Sequence, residues 1–326
     1  LIRQASLIPS VTTYEGKHIG FYADFVTRKD EQILMKSGIS FTSLKNAEEN
    51  LYAEIKGWDF DETHETCVRL WDKELSKITV TGGTEDEKKI FYTAMYHTLI
   101  DPRICSDVNG EYWGADNRIH QTKKFDKRTI FSGWDVFRSQ MPLQTLINPT
   151  VVNDLINSLV EIAEQSGNEY LERWELLNAY SGCMLGNPAI SILCDAYTKG
   201  IRDYDVEKAY HYALNTARMF KNNDQGYSPG NTGVSMTLEY AYTDWCMARL
   251  AELLGKMEDS EAFDVRARSY ATVFDSDFGW FRPRDDKGNF MPLAEAGRLE
   301  EWYGCMECNL YQQGWFVPHD VAGVIR

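Results

Sequence analysis

This 326-residue chain is notable first for the short catalytic motifs it does without. There is no GxxxxGK and no GxGxxG, so no glycine-rich turn cradles a phosphate at a helix start. HExxH and GxSxG are absent too, which removes the zinc-peptidase helix and the serine nucleophile elbow. Histidine is scarce: six residues, at 18, 64, 97, 120, 211 and 319, with no pair at metal-ligand spacing. Runs of Lys or Arg are missing, and acidic residues outnumber basic ones by 49 to 34, for a net charge of −15. Such a surface repels a phosphate backbone, so nucleic acid is excluded; it suits a neutral glycan or a cation. No apolar run approaches the ~20 residues of a membrane span. The chain opens inside a strand-like run, Leu1 to Pro9, and closes at Ile325-Arg326 after an acidic turn. We therefore expect it to continue into a longer polypeptide that carries any targeting signal.

Cysteine is present in an odd number, seven, at irregular spacings: 67, 105, 183, 194, 246, 305 and 308. Cys305 and Cys308 make the one CxxC. Without a second pair, a histidine pair or a preceding strand it supports neither zinc nor a thioredoxin-like site, so the cysteines are expected to be mostly free and buried.

What is present falls into three parts. Residues 1–42 read as strands, with alternation at 20–26, a polar turn at Lys29-Asp30-Glu31 and a second run at 33–41. So few strands cannot stand alone and are expected to end a larger sheet domain. From Ser43 the period changes. Leu44, Ala47, Leu51 and Ile55 predict one amphipathic helix, and Val68, Trp71 and Leu75 mark a second from Asp61 to Leu75. Residues 43–83 are taken as a helical linker. From 84 to 326 helices alternate with loops and no strand pattern is convincing. Helices are predicted from Glu85 to Ile100, from Asn148-Pro149 to Gly167, from Asn187-Pro188 to Gly200, from a cap at Asp205 to Phe220, from a cap at Ser235 to Gly255, and from Asp259 to Phe274. No fixed-period repeat is seen, which favours a helical toroid over a solenoid.

The chemistry-bearing stretches mix carboxylates, aromatics and amides. Foremost is Tyr303 to Asp320, YGCMECNLYQQGWFVPHD, with Glu307 among rings and the amides of Asn309 and Gln312. Amides grip hydroxyls, rings cover the apolar faces of a sugar, and a carboxyl in a partly dry pocket is raised enough to donate a proton. The bland alternative is a core helix with one snorkelling Glu. Second is Phe131 to Arg138, where Trp134 offers a stacking face, Asp135 an acceptor for adjacent hydroxyls, and Arg138 a cation. Its alternative is an ordinary helix start capped by Ser132. Third is Glu172-Arg173-Trp174-Glu175, and fourth Glu239 and Asp244, five apart and so not on one helix face. For these two, ion pairs or caps are the favoured reading. Carboxylates, rings and amides together are the equipment of glycoside chemistry.

These stretches, with ISFTSLKNAEENLYAEIKGWDFD, FYTAMYHTLIDP, SDVNGEYWGAD, CMLGNPAISILCDAYTKGIRDYD and TLEYAYTDWCMARLA, run nearly the whole length in order. In them the chain resembles the calcium-dependent α-mannosidases of glycoside hydrolase family 92. The resemblance implies a mainly α fold with a β portion: 1–42 the end of an N-terminal β-sandwich, 43–83 the helical linker, 84–326 the first part of an (α/α)6 barrel. It implies an exo-acting, inverting hydrolase of terminal α-linked mannose, often α-1,2, in glycans, and a periplasmic or secreted home. Glu307 matches the general acid, with Asn309 and Gln312 as the amides beside it. Trp134 and Asp135 match residues that hold the terminal mannose. Arg138, Trp174, Glu175 and Asp320 are further candidates around the substrate. A calcium ion on the sugar's O2 and O3 is implied, with ligands left unassigned. Cys308 stands where many relatives have Gly. The family's base comes from a Gly-Asn-Asp-Asp stretch farther along than Arg326, so the remainder of the same polypeptide is an expected partner and these 326 residues alone are expected to be inactive. Turnover by the isolated chain would refute that. Cleavage of mannose-1-phosphodiesters is disfavoured by the retained acid. A glycan-binding relative without a base, a mannosidase of another α-linkage, and a helical interaction scaffold are the alternatives.

Overall fold

The computed structural model describes residues 11–20, 22–130, 132–176, 179–293 and 303–326. Two compact units are distinguished, 1–36 and 37–326. In the first, the described residues form no helix or strand; Arg28 to Glu31 is a turn closed by Glu31 N–H on Arg28 O at 3.2 Å and by Arg28 N–H on the Glu31 carboxylate at 2.8 Å. The strand expected over Leu1–Pro9 lies outside the described residues. Those expected at 20–26, of which residue 21 lies outside the described set, and at 33–41 are not formed among the described residues, because no neighbouring segment pairs with them; an extended run without a ladder is not a strand.

The second unit is mainly helical. It opens with α1 (Leu44–Glu54), α2 (Phe60–Leu75) and α3 (Glu85–Thr98). Each has a side-chain cap: Ser43 accepts from Asn46 N–H, Asp59 from Glu62 N–H, and Thr84 exchanges bonds with Glu87 in a capping box. Their apolar faces are mostly uncovered. No residue of α2 is buried, and Leu44 is 88% exposed. Next come β1 (Glu111–Trp113) paired antiparallel with β2 (Ile119–Gln121), then α4 (Gly133–Val136), α5 (Gln140–Ile147) and α6 (Pro149–Gln165). A two-residue pair, β3 (Glu175–Leu176) and β4 (Ala179–Tyr180), precedes α7 (Pro188–Thr198), α8 (Val206–Met219) and α9 (Gly233–Leu253). α10 (Met257–Arg266), a 3-10 turn (Ala267–Val273), the pair β5 (Phe274–Asp275) and β6 (Trp280–Phe281), α11 (Leu310–Gln313) and α12 (Val321–Ile325) complete the order.

Packing is centred on α9. One end contributes Cys246, Met247, Ala248 and Leu250 to a core shared with α6, α7 and α8, into which the predicted stripe Val152, Leu155, Leu159 and Ile162 is fully sunk. The other end contributes Val234, Leu238 and Ala241 to a second core with Tyr270, Val273, Phe281, Cys305, Leu310 and Val317. A helix claimed by two cores is buried on several sides, so it shows no single apolar stripe. α9 begins two residues before the predicted cap. Ser235 lies in its first turn, where its hydroxyl serves the 303–320 segment instead. The small hairpins, two or three residues per strand, are below the length at which alternation can be read. Among the described residues no helix is long and apolar enough to cross a membrane.

Candidate active site

Ser132 does not cap α4. Its backbone is left-handed (φ 41°), and its hydroxyl turns to the Asp135 carboxylate. Asp135 is thereby held at the exposed surface, while Trp134, one residue earlier, points inward. Gly133 permits this tight turn: a Cβ there would stand 2.5 Å from Arg173 O, which accepts the Gly133 N–H at 3.0 Å.

Trp134 Nε1 donates to Glu239 Oε1 at 3.1 Å, and Arg138 Nη2 donates to the same oxygen at 2.5 Å. Glu239 comes from the middle of α9 and is 1% exposed. Burial pushes its carboxyl up, against the opposing pull of Arg138, Trp134 and Arg173. Its second oxygen has no hydrogen-bonding partner among the described residues. Gly186 closes over it, where a Cβ would come within 3.2 Å of Glu239 Cβ, and Arg173 ties that loop down by donating to Gly186 O (2.7 Å) and Met184 O (2.6 Å). The Arg138 guanidinium lies over three rings, 4.5 Å from Phe316, 4.7 Å from Phe137 and 5.3 Å from Trp134. A cation over ring faces is held in place while its outer edge stays open to solvent.

Phe316 belongs to the 303–320 stretch, so this stretch lies against the same cluster. Its first half is bolted to the start of α9. Gly304 O accepts from Val234 N–H (2.8 Å) and Ser235 N–H (3.2 Å), and Met306 N–H donates to Ser235 Oγ (2.9 Å). Ser235 Oγ in turn donates to Gln313 Oε1 (2.8 Å). Glu307 stands on the next residue, exposed, with a left-handed backbone (φ 56°). A non-glycine residue adopts that conformation at a cost of about 1–2 kcal/mol, and such residues gather at functional sites. Cys308, the residue after Glu307, donates to Gln313 Oε1 at 3.4 Å, so the far side of the turn is tied down as well.

Other sequence candidates go elsewhere. Asn309 and Gln312 form a reciprocal capping box on α11: Asn309 Oδ1 accepts from Tyr311 and Gln312 N–H, and Gln312 Oε1 from Asn309 N–H. Their oxygens hold the helix start under the acid's turn. Glu175 is buried with its carboxylate on Ile130 N–H at 3.0 Å, and Trp174 beside it is half-buried. Asp320 caps α12 through Gly323 N–H (2.9 Å) and accepts from Tyr270 at 2.5 Å, bonds that hold it below the usual carboxylate range. Asp244 takes the ion-pair role foreseen for it, 2.7 Å from Arg266. Glu239 too takes the ion-pair reading favoured for it, 2.5 Å from Arg138; nothing local signals that Trp134, 105 residues away, would bond to the same oxygen.

A cavity of 980 Å³ lies away from this cluster, between α1 and residues 104–126. Asp107 stands in its wall. Burial alone would raise it, but bonds from Thr42, Asn50, Asn46 and Ser40 outweigh that and hold the carboxyl down. Nor do three or more His, Cys, Asp or Glu side chains converge among the described residues. Calcium takes six to eight oxygens, so these side chains do not by themselves make its site, and no step below runs through it.

Residues 46–326 match the glycosyl hydrolase family 92 catalytic domain. The chain is similar to the family GH92 α-mannosidase BT3965 of Bacteroides thetaiotaomicron, at 35% identity and a TM-score of 0.80, and to that protein's complex with mannoimidazole, at 33% and 0.81. It is also similar to the GH92 inverting mannosidase BT2199 of Bacteroides thetaiotaomicron VPI-5482, at 29% and 0.80. Coverage is 88% of this chain against 39% of BT3965, and 87% against 40% of BT2199. A protein of Arthroderma benhamiae described as an uncharacterized secreted glycosidase is 24% identical over 95% of this chain and 42% of its own length. The chain thus spans about two-fifths of the relatives it matches.

Proposed function

The chain belongs to glycosyl hydrolase family 92, and from that premise we propose that the complete polypeptide is an exo-acting, inverting α-mannosidase. Its substrate would be a terminal, α-1,2-linked mannose of a glycan. The observation that supports this best is the convergence of Trp134, Arg138 and Glu239 with Phe316 of the stretch that carries Glu307. A ring and a fixed cation beside a stretch with an exposed carboxyl are what a sugar and its leaving oxygen require.

In this reading Glu307 donates its proton to the departing glycosidic oxygen. It is exposed on a turn fixed from below by Ser235 and by the Asn309–Gln312 cap, so its reach is set by backbone and not by a floppy loop. Trp134 and Asp135 hold the ring, and Trp174 lies at the margin. Glu239 keeps Trp134 and Arg138 in one orientation, so the sugar meets a preformed face. Glu175 and Asp320 support the shape of the site. Inversion needs a second carboxylate, roughly 6.5–9.5 Å from the first with water between, which would come from the remainder of the polypeptide. Calcium, held largely by residues outside the described set, would supply a Lewis acid on the sugar's adjacent hydroxyls. The (α/α)6 barrel, the N-terminal β-sandwich and a secreted or periplasmic location belong to the same proposal. The relative described as secreted supports the last.

The test is mannose release from α-1,2-mannobiose by the complete polypeptide, before and after chelation. Release that stops with chelator and returns with calcium supports the reaction and the metal together. Binding without release from any α-linked mannobiose would replace the enzyme by a glycan-binding protein.

A further inference from the structure

Three aromatic rings that the site described above does not use meet at the far end of the stretch that carries Glu307. Trp280 of β6 is in ring contact with Tyr311 of α11 and with Trp315 just beyond it, at centroid distances of 5.8 Å and 5.0 Å. Tyr311 and Trp315 are four residues apart. Gly314 between them keeps helical backbone (φ −61°, ψ −16°), so both project from one face. Trp280 is the fixed member. Its Nε1 donates to Leu310 O at 2.8 Å, and its indole lies against the bare Cα of Gly314, where a Cβ would stand 2.7 Å from the ring. The two outer rings are open to solvent: Trp315 is 70% exposed and Tyr311 47%. Neither the Trp315 indole N–H nor the Tyr311 hydroxyl bonds to any group among the described residues.

We propose that Trp280, Tyr311 and Trp315 form a platform for uncharged pyranose units on the leaving side of the glycan, beyond the bond to be cleaved. This inference rests on the α-mannoside reading given above. A pyranose has an apolar C–H face and a rim of hydroxyls. An open indole or phenol ring offers the matching pair, a flat apolar face with a hydrogen-bonding group at its edge. The net charge of −15 disfavours an anionic ligand and leaves a neutral one. Because Trp280 is anchored before any ligand arrives, little ordering is needed when a sugar lands on it.

The platform is continuous with the candidate active site. Phe316 turns inward beneath the Arg138 guanidinium, 4.5 Å away, while its neighbour Trp315 stays outside. Tyr311 is four residues beyond Glu307, so the chain keeps the two within about 14 Å. The capping box of Asn309 and Gln312 joins the acid's turn to the helix that carries the ring. A glycan whose scissile oxygen meets Glu307 would therefore lay its next sugars toward these rings.

The test measures binding and needs no turnover. The complete polypeptide and its Trp315→Ala and Tyr311→Ala variants are titrated calorimetrically with two probes: a sulfur-linked α-1,2-mannotetraose, which resists hydrolysis, and methyl α-mannoside, a single sugar. The expected result is that each variant binds the tetraose about 3–10-fold more weakly and methyl α-mannoside unchanged, which also shows that the variant is folded. Unchanged affinity for the tetraose in both variants overturns the platform and leaves the proposed function standing. Failure of the unaltered polypeptide to bind either probe refutes the proposed function, and the platform with it. Shielding of Trp315 from a water-soluble tryptophan-oxidising reagent in the ligand-free polypeptide would mean that the rest of the chain covers the rings, and that also overturns the proposal.

Discussion

Glu239 and Glu307 live in opposite circumstances. Glu239 sits on α9, 1% exposed, with Trp134 and Arg138 on one oxygen and, among the described residues, nothing on the other. Glu307 sits at the tip of a bolted turn, exposed, with the strain in its backbone. The first is embedded in the scaffold and arranges its neighbours; the second is presented outward. In the proposed reading the fold separates a carboxyl that organises a site from a carboxyl that meets substrate. The contrast also makes the two separable by experiment.

The largest expected effect falls on the embedded group. Glu239→Ala leaves Arg138 without its partner; since that guanidinium is about one-third exposed, the loss should lie near the low end for broken buried pairs, about 3 kcal/mol, measured by urea unfolding. Glu307→Gln, at an exposed position, should change stability by less than about 0.5 kcal/mol. Equal costs would break the comparison. Stability should also respond to pH through the buried acids of the scaffold. Burial, then the charge of Glu175, pushes the Glu172 carboxyl up to about 8, and burial pushes Asp244 up to about 7. These folded-state values lie above the unfolded ones, so the native state binds more protons in between. Stability is therefore greatest near pH 5 and falls as pH rises toward 8. Thermal unfolding across that window should show the decline, and Glu172→Gln should flatten it. Ser235→Ala removes the bonds to Met306 and Gln313 and should cost about 1–2 kcal/mol, with lower kcat and little change in KM if the turn positions Glu307. Glu307→Gly relieves the left-handed strain and should stabilise by about 1 kcal/mol while, if Glu307 is the acid, abolishing proton donation.

Where the sequence could be read, local physics set the outcome. Asp205 caps α8 through Lys208 N–H at 3.0 Å, and Asn-Pro opens both α6 and α7, as their spacing announced. α1 and α2 form by period and cap even though their apolar faces find little cover, so periodicity reports a helix and not its partner. Illegible features were tertiary. Ser235 looks like a cap, but its hydroxyl is used by residues 306 and 313. The strands expected in 22–41 had alternation but no neighbour. Within the site, Trp134, Arg138 and the 303–320 stretch were named from composition, and the structure brings them together. Asn309 and Gln312 were read as sugar-holding amides, although N-x-x-Q is also a capping-box spacing and that is the bond pattern observed. For Glu239 an ion pair was the favoured reading and is observed, but its partners, more than 100 positions away, could not be named.

The most direct test of the account compares two substrates in one assay. The complete polypeptide and its Glu307→Gln variant are given α-1,2-mannobiose, whose sugar leaving group needs a proton, and an aryl α-mannoside with an acidic phenol, which does not. The account predicts a fall in kcat/KM of about 10²–10⁴-fold on the disaccharide and a far smaller one on the aryl mannoside. Equal losses on both, or none on the disaccharide, would contradict Glu307 as the acid.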